Sequence, residues 1–419
     1  MGAKQSLVQA ARTNDGVAIK QIFKAGRESA QETRDNALFT AVECGSREAA
    51  EALIMHGARV NNEPNNPREN ALMIAAILNK ISVMELLFEN GADVEDQDCD
   101  GETALFFAVL GNRMEAVKQL LDKDPYIEHK NKMGETVLMV AAREGFSNIM
   151  RLLIAHGATV DMTDKTEGVA LMYAAVNNEL EAARILIENN ADFEHTNKFG
   201  ETALMLAAAH NAADVVNLLI KRGADVNATD NNECTALFYT TQRDSQEAAK
   251  LLITCSDKAD IEHKDDFGKT ALMLAASRNA ANVTHQLIRQ GAKLEVTNGN
   301  GDTALSLAAQ TNSAQAVDML VHSSANMNNL NRHNLTPMYW AILSDSFDAF
   351  KKLLEFGAGI ADLATTANDV RRRVSNERAV LLECAQGYRA RRIERYLQLE
   401  RYKKMVLPPF RKINWTTTR

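Results

Sequence analysis

Proline is scarce in this chain, with 6 in 419 residues, and no Pro-rich stretch separates one part from another. Cysteine is no more organised. Cys44, Cys99, Cys234, Cys255 and Cys384 are scattered, odd in number and never in a CxxC pair. That excludes a disulfide framework or a zinc ribbon, both of which need clustered spacing. Reduced thiols in a cytosolic protein are the expectation. Long apolar runs are missing too: nothing approaches the roughly 18 consecutive residues of a membrane-crossing helix. The start, MGAKQSLVQAARTND, has no secretory apolar stretch, which points to the cytoplasm.

Charge is unevenly spread. Residues 369–419 carry 14 Lys and Arg against 5 Asp and Glu, a net of +9. The remainder carries 33 basic and 50 acidic residues, a net of −17. An acidic body repels phosphates, so nucleic acid is not an expected partner of the body. A basic segment on an acidic body suggests two surfaces with different partners.

What the chain does have is self-similarity. An Ala-Leu-Met or Ala-Leu-Phe signature begins at Ala37, Ala71, Ala104, Val137, Ala170, Ala203, Ala236, Ala271 and Ala304, then as Pro337. The steps are 34, 33, 33, 33, 33, 33, 35, 33 and 33 residues. A fixed period of this length is the signature of a repeat architecture. Residues 200–231 show the unit. Thr202 can cap a helix with its hydroxyl. Ala203, Leu204, Ala207 and Ala208 fall on one face of that helix. A second helix follows with Val215, Val216, Leu218, Leu219 and Ile220 as its apolar stripe. Gly223 ends it where a left-handed backbone is needed. Ala224-Asp225-Val226-Asn227 then turns the chain outward as a hairpin-like finger. Each unit leaves apolar surface on both sides, so only stacking buries it.

These residues, Gly-x-Thr-Ala-Leu-x-x-Ala-Ala, then Leu-Leu-Ile, then Gly-Ala-Asp-x-Asn, resemble the ankyrin repeat over about residues 5–360. The resemblance implies an all-α solenoid of about eleven repeats and a protein-binding role. The expected organisation is an N-terminal capping repeat at 1–31, an array of about ten repeats at 32–360, and a basic helical tail at 361–419. The family's usual Thr-Pro-Leu-His is altered: Ala replaces Pro, and Met or Phe replaces His, with Thr336-Pro337-Met338 keeping the proline once. Losing the Thr–His hydrogen bonds predicts less directional, apolar contacts in their place. The unit at 336–360 is unusually aromatic, with Tyr339, Trp340, Phe347, Phe350 and Phe356. Residues 103–142 resemble 235–276, and Glu128-His129, Glu194-His195 and Glu262-His263 recur every second repeat. That pattern reads as duplication of repeat blocks.

Few residues suggest chemistry. Asp96 to Gly101, DQDCDG, looks like the start of a calcium loop, but the twelfth position, which needs a bidentate Glu, is Phe107. His129, His195 and His263 are two repeats apart, far beyond the reach of one metal ion. Asn298-Gly299-Asn300-Gly301 lacks the Lys-Ser/Thr ending of a phosphate loop. No Ser or Cys sits with His in a nucleophile motif. The expectation is a non-catalytic scaffold or adaptor without cofactor or metal; a structural component of the cytoskeleton or membrane skeleton is the alternative.

Binding is expected on the concave surface that solenoids present. Met133, Phe199 and Phe267 are the tip residues before the finger glycines and are candidate anchors. Asp96, Asp98 and Asp100 mark an acidic tip that would favour a basic partner. In the tail, Leu381, Gly387, Tyr388 and Arg391 resemble a degenerate IQ motif for a calmodulin-like protein. Met1-Gly2-Ala3-Lys4-Gln5-Ser6 fits the N-myristoylation pattern with Gly2 as acceptor. One acyl chain holds a membrane weakly, so the nearby Lys4, Arg12, Lys20, Lys24 and Arg27 would have to assist. Ser6 and Gln9 also read as a capping box for the first helix.

Overall fold

The computed structural model describes residues 2–25, 30–61, 69–255, 259–344 and 346–358. Among them are twenty-two helices in eleven consecutive pairs and no strand; a single antiparallel bridge joins Thr229 and Thr235. None of these helices is long and apolar enough to cross a membrane. The chain forms two compact units, Met1–Ala207 with Asp214–Ala224, and Ala208–Ala213 with the chain from Asp225 onward.

The periodic signature marks the helix starts. Helices begin at Ala71, Ala104, Val137, Ala170, Ala203, Ala236, Ala271, Ala304 and Pro337. Ala37 is the exception: its helix runs Gln31–Cys44. No Gly-x-Thr turn precedes Ala37, so nothing stops the helix extending back through Gln31-Glu32-Thr33. The first helix also departs from expectation. It runs Gly2–Arg12, which places Ser6 inside it and overturns the Ser6–Gln9 capping box.

Each first helix is short because it spans only the layer between its neighbours. Ala75, Ala76, Ala141, Ala142, Ala174 and Ala175 in the first unit are fully buried, as small residues must be where helices approach closely. Leu87, Leu120, Leu153 and Leu186 anchor the second helices, and each is fully buried. Burying one leucine is worth roughly 2 kcal/mol.

The lost Thr–His bonds are replaced by hydrogen bonds rather than by contact alone. Thr136 Oγ1 accepts from the Met139 amide, and Met139 Sδ accepts from the Thr136 amide, both at 3.4 Å. Asn70 with Met73 and Thr202 with Met205 make the same reciprocal pair. Methionine sulfur thus stands where a capping box puts a Glu or Gln oxygen. The two repeats with Phe106 and Phe238 at this place have no hydroxyl cap at Thr103 or Thr235. The second of them is also the shortest first helix, Ala236–Tyr239. There Thr240 and Thr241 donate their hydroxyls back to Leu237 O and Phe238 O at 2.7 Å, competing with the helix ladder.

The turn between paired helices couples each repeat to the next. Asn79, Asn178, Asn279 and Asn312 adopt left-handed conformations, φ 56, 57, 54 and 60°, which Asn tolerates better than most residues. Their Oδ1 atoms accept main-chain N–H groups at the start of the following repeat's second helix: Ala116, Val215, Ala316 and Ala349 at 3.2, 3.4, 3.4 and 3.0 Å. Asp244 does the same for Val283 at 2.8 Å. One side chain therefore satisfies a turn and a neighbour's unpaired helix terminus.

Candidate partner-binding surface

Every finger is held by one side chain. Asp98, Asn131, Asp164, Asn197, Asp230, Asp265, Asn298 and Asn331 each present Oδ1 to the main-chain N–H groups two and four residues on, at 2.6 to 3.0 Å. This is an Asx turn reinforced by a second bond. The residue two positions on, which forms the tip, is thereby thrust outward. Fingers are also tied to one another: Lys132 N donates to Asp100 O at 2.8 Å, Lys198 N to Thr166 O at 3.0 Å and Gly299 N to Phe267 O at 3.2 Å.

The Glu-His pairs turn out to be ties as well. His129, His195 and His263 each bond through Nε2 to a carbonyl of the preceding finger, Gly101, Glu167 and Glu233, at 2.8 Å. Glu128 and Glu262 accept the amides of Thr159 and Lys293 in the following finger, at 2.6 and 2.8 Å. His129 meets the edge of Phe106 at 6.1 Å, and His263 meets Phe238 at 6.0 Å. The two resembling blocks thus reproduce one geometry, as duplication predicts.

Helix pairs, fingers and inter-finger bonds all recur at the 33-residue step. A family model described as ankyrin repeats (3 copies) matches residues 7–98, 90–164, 156–230, 227–298 and 272–363. The chain belongs to the ankyrin-repeat family. No curated protein matches it. Ankyrin repeats are generally non-catalytic modules that bind other proteins.

On these ankyrin fingers the three anchors named from sequence stand out. Met133, Phe199 and Phe267 are 69, 54 and 68 % exposed, although each is a large apolar side chain. None is packed away against its neighbouring finger. A lysine ammonium stands 5.9 Å from the Phe199 ring centre (Lys198) and 5.8 Å from that of Phe267 (Lys269). Met133 and Phe199 lie in the first unit and Phe267 in the second.

The acidic tip needs correcting. Asp98 is buried and its Oδ1 is the finger's Asx acceptor, so it offers no charge to a partner. Asp96 is half-buried and accepts from Asn70 Nδ2 at 3.1 Å. Only Asp100 is exposed at the tip. The ligand atoms of Asp98, Cys99 and Asp100 lie within 4.8 Å of one another. Asp98 already serves two amides, and Phe107, where a calcium loop needs its carboxylate, is buried in the core.

Perturbed groups in the ankyrin array have structural causes. Burial pushes the Cys234 thiol up to about 12, aided by Asp230 and Asp265, so it stays protonated and unreactive. Tyr173 is pushed above its ordinary value by burial and by donating to Asp164 Oδ2 at 2.6 Å. Tyr239 donates to Asp230 in the same way at 2.7 Å. Glu102 is raised by burial, partly offset by the Asn131 amide and reinforced by Asp98, Asp100 and Glu135. Gly2 lies at the start of the first helix. Leu381, Gly387, Tyr388 and Arg391 lie outside the described residues.

Sequence reading passed over two things. One is the Asx residue, present at 33- or 35-residue steps from Asp98 to Asn331 and findable by aligning the repeats on their second signal rather than on Ala-Leu-Met. The other is a run of lysines beside three consecutive tips: Lys132, Lys165 and Lys198.

Proposed function

We propose that this ankyrin array is a non-catalytic scaffold or adaptor that captures partner proteins on its finger tips, with Met133, Phe199 and Phe267 as anchors. The observation that carries the reading is the exposure of three large apolar side chains on turns fixed by two hydrogen bonds each. A preorganised apolar anchor costs little to order on binding, which favours affinity. Truncating all three to alanine should remove most partners from an affinity capture while leaving thermal unfolding unchanged. Capture of every partner by the triple variant would refute the anchor role.

The proposal extends to the ends of the chain. The Met1-Gly2-x-x-x-Ser6 pattern supports a myristoyl group on Gly2 and a cytoplasmic protein tethered to a membrane face. Lys20 and Lys24 would add attraction to anionic lipid. Gly2→Ala should release any membrane-bound pool and block incorporation of a labelled myristate analogue; incorporation in that variant would exclude Gly2. Leu381, Gly387, Tyr388 and Arg391 are proposed to take a calmodulin-like protein. Truncation at residue 360 should abolish capture on calmodulin beads, and retained capture would place that contact elsewhere.

A further inference from the structure

We propose that the fingers bearing Lys132, Lys165 and Lys198 form a docking row for an extended acidic segment of a partner protein, with apolar residues beside its first and last acids; this rests on the tip-anchor reading and names the partner's chemistry. All three lysines are exposed, as are the tip residues next to them, Met133, Thr166 and Phe199. They belong to one unit. Their spacing is fixed by the main chain, because Lys165 N donates to Met133 O at 3.3 Å and Lys198 N to Thr166 O at 3.0 Å.

The ammonium groups lean back along the row. Lys132 Nζ donates to Cys99 O, and Lys198 Nζ to Lys165 O at 3.4 Å. An ammonium has three donors, so one such bond leaves capacity for a carboxylate. The carboxylates of the same fingers face other partners. Glu135 is bonded to Arg143 at 2.7 Å and to Asn131 at 2.9 Å, Glu201 to Asn197 at 2.8 Å, and Asp164 to Thr166 and Tyr173. Glu167, on the middle finger, is the acid that remains exposed. At the equivalent place the other fingers carry Cys99, Asn231, Asp266, Gly299 and Arg332, so the basic run is confined to these three repeats. The body around them is acidic, which repels acidic chains everywhere but here.

Stacked repeats stand about 10 Å apart. An extended chain rises about 3.3 Å per residue, so one acid in three would meet each lysine. The row is a single file of lysine and tip, matching one edge of an extended chain better than the broad face of a helix.

The test uses the full chain and fluorescein-labelled peptides read by anisotropy. The probe has glutamate at every third position and leucine beside the first and third glutamates. One control carries lysine for glutamate, and another shuffles the same composition. We expect saturable binding of the probe, weakened by salt, and at least severalfold weaker binding of both controls. K132E/K165E/K198E should weaken it on the order of tenfold, since exposed pairs are individually weak but three add. Lys264→Glu, in the other unit, should change nothing, and unchanged circular dichroism melting would show that the triple variant still folds. No binding up to millimolar probe, equal binding of either control, or an unaffected triple reversal would each overturn the docking row. Loss of captured partners on truncating Met133 and Phe199, with the peptide indifferent to lysine reversal, would leave the anchors standing and the row refuted. Peptide binding that follows the lysines, with all partners captured by the truncated tips, would mean the reverse.

Discussion

The fingers at 131–135, 164–168 and 197–201 in the first unit and those at 265–269, 298–302 and 331–335 in the second share one skeleton. Each has an Asx acceptor serving two amides, and a main-chain tie to the finger before it joins them. Their tips diverge. The first unit sets Lys132-Met133, Lys165-Thr166 and Lys198-Phe199 on this skeleton; the second sets Asp266-Phe267, Gly299-Asn300 and Arg332-His333. Two jobs are therefore carried by different positions of one turn: the first residue holds the backbone, and the next two face whatever is bound. The tips can change without cost to the fold because nothing in the stack leans on their side chains.

The comparison can be broken most forcefully in the core. Phe106 and Phe238 occupy matching positions in the two duplicated blocks and are 0 and 2 % exposed. Phe106→Ala and Phe238→Ala should each lose about 3–5 kcal/mol in urea unfolding followed by circular dichroism. Losses differing by more than about 2 kcal/mol would mean that the blocks share sequence but not packing. The glycines come next. Gly134 and Gly223 both have positive φ, +86 and +91°, but a Cβ at 134 would meet the Lys165 amide at 2.6 Å while one at 223 meets nothing within 4 Å. Gly223→Ala should cost about 1 kcal/mol for the left-handed backbone alone. Gly134→Ala should cost roughly 2–3 kcal/mol, and hydrogen exchange should report a deprotected Lys165 amide. Equal costs would deny the inter-finger bond its role.

Smaller effects should come from the helix-to-helix turns. Asn178→Ala in the first unit and Asn279→Ala in the second each remove a left-handed turn residue and a neighbour's helix cap, at about 1–2 kcal/mol apiece. Replacement by Gly keeps the turn and loses only the cap, so it should be the milder change in both units. The smallest effects concern pH. Burial holds the Glu102 carboxyl above its ordinary value. The folded state therefore binds that proton more tightly, and its contribution to stability falls as pH rises from the ordinary value through the raised one. Asp164 is opposite: burial pushes it up, but bonds from Tyr173, Thr166 and Gly168 outweigh this and hold it low. Its contribution is present above the ordinary value and is lost as pH falls through the lowered one. Thermal melts of Glu102→Gln and Asp164→Asn across pH 3 to 7 should deviate from the parent in these opposite senses.

Much of the architecture was legible because each repeat restates it. Helix starts from Ala71 to Pro337 followed from a recurring tripeptide, since burial on both sides forces the same apolar positions into every unit. Failures came where the pattern is broken or is not apolar. The Gln31–Cys44 helix begins early because the usual turn before it is missing. Methionine capping was invisible because sulfur is read from sequence as apolar filling, yet here it accepts main-chain N–H groups. Asp98 was mistaken for a surface charge because composition cannot tell an acid that faces solvent from one that holds a turn. Exposure at Met133, Phe199 and Phe267 had been an open alternative, because an apolar residue on a loop can lie against its neighbour or stand clear.

The Asn-to-amide caps and the inter-finger bonds have a direction. In each of those named above, the main-chain N–H belongs to the later repeat and the oxygen that receives it to the earlier one. A nascent repeat leaving the ribosome thus meets acceptors already in place upstream, whereas its own oxygens wait for a successor. Growth of the array should be ordered from its beginning. Damage to an early repeat should loosen those downstream more than the reverse, giving a chain of otherwise similar units an arrow.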